Sequence, residues 1–111
     1  MITLDSIGKT YVTLNADDGL EAGQVCKITA DSTVGPCSAG DDFCGYAQQV
    51  RLALAGVVLD GYCCVPYSGT APALGRTALC ADGQGGVKAG GTTKYLVAHV
   101  DTSAQVVGFF L

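Results

Sequence analysis

The sequence is poor in the residues that carry out chemistry. Of 111 residues none is tryptophan, one is histidine, and only 14% are charged, against about 25% in an ordinary globular domain. The lone imidazole, His99, leaves a single candidate general base. Ser68 stands between Tyr67 and Gly69 without a Gly-x-Ser-x-Gly elbow. Asp101 follows His99 at a spacing that puts both on one strand face, which allows a hydrogen bond but not a catalytic triad. These absences predict that the chain is not an enzyme and uses no cofactor.

Positive charge is also scarce. Six Lys and Arg are scattered from Lys9 to Lys94 in a chain of net charge −4. Nucleic-acid binding draws on clustered positive charge, so no nucleic-acid partner is expected. The acidic pairs Asp17-Asp18 and Asp41-Asp42 lie beside glycine or in turns and read as solvated loop residues. The longest apolar run, Leu52 to Leu59, is far short of the ~20 residues that cross a bilayer, so no membrane partner is expected. Met1-Ile2-Thr3-Leu4-Asp5 has neither the basic region nor the apolar run of a secretory signal. The expectation is a chain that begins at Met1 and stays in the cytoplasm where it is made.

Six cysteines stand out against this background: Cys26, Cys37, Cys44, Cys63, Cys64 and Cys80. A reducing compartment keeps thiols free. No Cys-x-x-Cys or Cys/His spacing suited to zinc is present, and adjacent Cys63 and Cys64 point to opposite faces of a strand. Buried cysteine behaves as a small hydrophobe, and structural, unligated thiols are expected.

What the chain does have is 16 glycines and a succession of short strand-like segments. Thr10 to Leu14 alternates, Tyr11 and Thr13 against Val12 and Leu14. In Val25 to Thr29, Val25 and Lys27 oppose Cys26 and Ile28. Thr33 to Cys37 contains Gly35-Pro36, a loop or edge signal. From Phe43 onward Val50, Leu52 and Leu54 share a face opposite Arg51 and Ala53. Val57 to Asp60, Tyr62 to Tyr67 and Leu74 to Cys80 follow, then a closing pair, Tyr95 to Val100 and Val106 to Leu111. Asp82-Gly83-Gln84-Gly85-Gly86 reads as a hairpin turn, since Asp-Gly and Gly-Gly supply the positive φ such turns require. It lacks the Lys-Ser/Thr of a phosphate loop and the ligand pattern of a calcium loop. Strands at about 8–12-residue spacing with turn signals predict an all-β fold, a small single-domain β-barrel or β-sandwich with short hairpins. No internal repeat, low-complexity segment or linker reads from the sequence.

Residues Leu20-Glu21-Ala22-Gly23-Gln24-Val25, Phe43-Cys44-Gly45-Tyr46-Ala47, Val65-Pro66-Tyr67-Ser68-Gly69 and the closing pair carry a resemblance. From about Gly19 the chain resembles the small head-decoration, capsid-stabilising proteins of tailed phages and prophages. The resemblance implies a structural protein that binds the outer surface of a capsid shell as an oligomer, most often a homotrimer, with the major capsid protein as partner. It implies assembly in the bacterial host cytoplasm and a final place on the virion head. The six cysteines depart from that pattern, because the role does not need them. The alternative reading is a small β-barrel binding module that holds a metal or small ligand through Cys63, Cys64, Cys80 or His99.

The division expected is residues 1–15 as an N-terminal arm or first strand, and 16–111 as the β domain. Ile2, Leu4 and Ile7 are wasted on a segment left in water, and an extended arm can add a strand to a neighbour's sheet edge. The last strand is apolar throughout, and one chain is not expected to cover both its faces. Ile2, Leu4, Ile7, Val107, Phe109 and Leu111 are therefore the expected capsid or oligomer contacts.

Overall fold

The computed structural model describes residues 9–111, and every described element is a β-strand, as the turn-punctuated sequence predicts. The strands are β1 (Thr10–Ala16), β2 (Gln24–Ala30), β3 (Thr33–Pro36), β4 (Gly45–Arg51), β5 (Leu54–Asp60), β6 (Tyr62–Ser68), β7 (Gly75–Ala81), β8 (Val87–Asp101) and β9 (Val106–Phe110). The fold is a barrel rather than a sandwich. The first five strands close into a ring in the order β1-β3-β2-β4-β5, with β1 parallel to β3 and antiparallel to β5. The division after residue 15 falls inside β1, which is a full member of this ring.

The second half repeats the first, a correction to the sequence reading, which found no repeat. Its sheet runs β6-β9-β8-β7, and a parallel pairing of β6 with the start of β8 joins it into a ring of its own. Strand for strand the pairings match. Tyr11↔Val58 and Thr13↔Gly56 recur as Tyr62↔Phe110 and Cys64↔Gly108. Ala16↔Val34, the parallel contact, recurs as Tyr67↔Val87. Ala47↔Val57 and Arg51↔Leu54 recur as Val97↔Phe109 and Asp101↔Val106, and a register shift falls at the same point, after Ala47 and after Val97. The duplication escapes the sequence because few equivalent positions keep their residue: Tyr11 and Tyr62 match, as do Gly56 and Gly108, but Ala16 corresponds to Tyr67, Val57 to Phe109 and Arg51 to Asp101.

The rings differ in one connection. β8 does the work of both β3 and β4: its start pairs with the end of β7 and its end with the start of β7, and Gly90 and Gly91, both at positive φ, lie in the bend between. In the first ring the corresponding link is the segment 37–44, which reaches across to the second ring. Gly40 donates its amide to the Ala81 carbonyl (2.8 Å), and Ala81 donates to Asp41 (2.9 Å). Phe43 stacks on Tyr95 with centroids 5.0 Å apart and meets Phe109 edge-on.

The apolar residues sort into two cores. Leu20, Cys26, Val34, Ala47, Ala55 and Val57 fill the first ring. The larger core combines Val65, Tyr67, Leu79, Val87, Val97 and Phe109 of the second ring with Val25, Cys37 and Phe43 of the first. Val25 and Cys26 are both wholly buried because β2 runs between the two cores, so the expected alternation there has no solvent side. Shared burial makes the two rings a single domain.

The C-terminal strand corrects the expectation of an uncovered apolar face. Val107 and Phe109 are completely buried within this chain, and Gly108 opposite is covered by Tyr62. Val107 and Phe109 are thus core residues rather than contact residues. Leu111 keeps partial exposure while packing on the larger core, and its amide donates to the Gly61 carbonyl at 2.9 Å. Ile2, Leu4 and Ile7 lie outside the described residues.

Candidate interaction surface

The largest departure from sequence expectation lies at the β4–β5 hairpin. Leu52 and Ala53 form its two-residue turn, both at positive φ (53° and 63°). Paired positive-φ residues match the twist of a tight hairpin, but that region favours Gly, Asn and Asp and costs a branched side chain about 1–2 kcal/mol. The sequence has none of the preferred turn residues here, so the alternation was read straight through. The turn reverses the faces instead: Val50 and Ala55 pack inward, while Arg51 and Leu54 pair across the outer face.

That outer face carries a groove of about 310 Å³ lined by Tyr11, Thr13, Gln49, Arg51, Leu52 and Leu54. Its floor is Gly56, where the Tyr11 ring lies across the backbone. Leu52 is 86% exposed and Tyr11 and Leu54 are each 47% exposed. Arg51 makes no ion pair or hydrogen bond with any described residue. An apolar shelf beside a cation with no partner among the described residues has the composition of a binding surface, since aromatic residues and Arg are what interfaces enrich. The equivalent face of the second ring is built differently. Tyr62 covers Gly108 and packs on Phe110 at 5.2 Å, Cys64 touches the Tyr62 hydroxyl at 3.4 Å, and Asp101 stands where Arg51 stands.

The polar residues mostly serve turns. Asp82 accepts from the Ser68 hydroxyl (2.6 Å) and from the amides of Gln84 and Gly86 (2.7 and 3.1 Å), which fixes the β7–β8 turn as a hairpin, as the sequence predicts. Asp101 accepts from the amides of Ser103 and Ala104 (3.0 and 3.1 Å), so it caps a turn rather than serving His99. Asp41 is not the solvated loop residue expected. It pairs with Lys27 at 2.5 Å and accepts the Ser38 amide at 2.8 Å. The Lys27 ammonium holds the Asp41 carboxyl below its ordinary range, and Asp41 raises Lys27 in turn.

The thiols divide by environment. Cys63 is buried and Cys64 exposed, on opposite faces as predicted, while Cys80 is buried and His99 exposed. Burial pushes the Cys63 thiol up to about 12 and that of Cys37 up to about 11. Among the described residues no group of three or more His, Cys, Asp or Glu stands close enough to hold a metal ion.

No protein-family model matches the chain, and no curated protein matches it.

Proposed function

We propose that this chain is a structural protein of a phage or prophage head, binding the outer surface of the capsid shell as an oligomer and stabilising it. The observation that carries the reading is the β4–β5 hairpin. A leucine held at positive φ and 86% exposed is a backbone outlier of the kind that clusters at functional surfaces. Beside it lie Tyr11, Leu54 and Arg51, all on the closed first ring. A closed β scaffold with an exposed apolar groove suits clamping neighbouring subunits better than it suits turnover.

The major capsid protein is the proposed partner and the chain itself the second, as a homotrimer. The proposed setting is the host cytoplasm during assembly and then the head surface. Co-sedimentation of the purified protein with empty shells of the major capsid protein tests the reading, with Leu52→Asp as the control variant. Binding by the native chain and its loss in Leu52→Asp supports the proposal; absence of binding to shells refutes it. Light scattering at high concentration tests the oligomer, and the mass of one chain refutes the trimer.

A further inference from the structure

Cys26 and Cys44 are neighbours on the same side of the first ring. Cys26 of β2 is in register with Gly45, yet the Cys44 amide donates to the Cys26 carbonyl at 2.8 Å. Two residues therefore face one, as at a bulge. Cys26 belongs to the core of the first ring, and Cys44, partly buried, packs against that core. Cys37 follows Pro36, the residue opposite Cys26 on β3, but belongs to the larger core. The arrangement is a pair rather than a trio. The 2.8 Å bond from the Cys44 amide to the Cys26 carbonyl makes the two residues immediate neighbours across the strands, and a disulfide needs Cα atoms about 4.4–6.8 Å apart.

The two members differ in access. Cys26 is fully buried, whereas Cys44 is half-buried at the mouth of the segment 37–44. We propose that Cys44 is a peroxide-reactive thiol and Cys26 its resolving partner, the two closing on oxidation into a disulfide that staples β2 to the entry of β4. The Cys44 thiolate attacks the peroxide O–O bond, giving a sulfenic acid and, after protonation, one water. Cys26 sulfur then displaces the hydroxyl from Cys44 sulfur, losing its proton as a second water leaves. One peroxide is reduced and two thiols are oxidised. A hydrogen bond from the Cys26 thiol favours the Cys44 thiolate and lowers Cys44, while the same contact and burial push Cys26 up. This places the charge on the less buried cysteine of the pair, where nucleophilic attack on an oxidant begins. The inference does not depend on the capsid reading.

The test uses the full-length reduced protein and hydrogen peroxide at low molar excess, followed by thiol counting and non-reducing peptide mapping. Free thiols should fall from the six of the sequence by one pair, with a linked peptide joining Cys26 to Cys44 that dithiothreitol separates. In Cys26→Ala, a dimedone adduct should accumulate on Cys44. Linkage between other cysteines, or oxidation of Cys64 while Cys26 and Cys44 stay reduced, overturns the proposal. So does failure of any linked peptide to form in the native chain, whether or not the variant folds.

Discussion

Tyr11 lies across Gly56 on the adjacent strand, its hydroxyl filling the place where a side-chain carbon would stand. Tyr62 does the same over Gly108 in the second ring. An added methyl at either glycine collides with the tyrosine hydroxyl and forces the ring away. Gly108→Ala should cost about 1–3 kcal/mol, the usual range for overpacking, since Gly108 is buried and Tyr62 packs on Phe110. Gly56→Ala should cost less, because Tyr11 is half in water and can swing outward. Urea titrations of both variants check the order; equal losses would contradict it.

Phe43 joins the rings. It comes from the link between β3 and β4 but stacks on Tyr95, which also donates its hydroxyl to the Phe43 carbonyl at 3.4 Å. Phe43→Ala should destabilise the whole chain by about 3–5 kcal/mol. The native protein should unfold in one transition by every optical probe, because the larger core draws on both rings. Two separate transitions in the native protein would mean the rings are independent.

The hairpin predicts a trade. Replacing Leu52-Ala53 by Asn-Gly supplies the residues that a two-residue turn at positive φ favours, and should stabilise the fold by about 1–2 kcal/mol. The same change removes the exposed leucine, so shell binding should weaken as the thermal midpoint rises. A variant more stable and equally adhesive would dissociate the strain from the contact.

Asp41 and Lys27 set a pH dependence. The Asp41 carboxyl titrates below its unfolded value of about 3.9, so its contribution is complete above that value and is lost as the pH falls through the folded one. Lys27 is raised, so its share is complete below the unfolded lysine pKa and fades as the pH climbs through the folded value. Stability measured from pH 7 down to 2 should fall less steeply in Asp41→Asn than in the native chain. Unchanged acid sensitivity would mean that the pair contributes nothing measurable, as many exposed pairs do.

The all-β class, the closing hairpin and the Asp82 turn were legible in the sequence because glycine and aspartate mark them chemically. The Cys63/Cys64 split was legible because period-two alternation is purely geometric. Three things were not. The Leu52-Ala53 turn carries no turn residue, so the alternation ran through it and placed Leu54 on the wrong face. The burial of Phe109 draws on Phe43, which is remote in sequence and reaches it from the link between β3 and β4. The duplication is written in pairing partners, Ala47 with Val57 and Val97 with Phe109, and no residue identity at those positions survives to announce it.

The bridge made by Phe43 also orders events at the ribosome. The first ring closes when β5 meets β1, so it can form while the second half is still being synthesised. Until Tyr95 and Phe109 emerge, however, that young ring presents Phe43, Val25 and Cys37 without the neighbours that later enclose them. Nascent chains with apolar surface in that condition are the ones that stick to each other or engage chaperones. Slow translation through the second half would therefore lower the yield of correctly folded protein, and recoding codons 62–111 for speed would raise it.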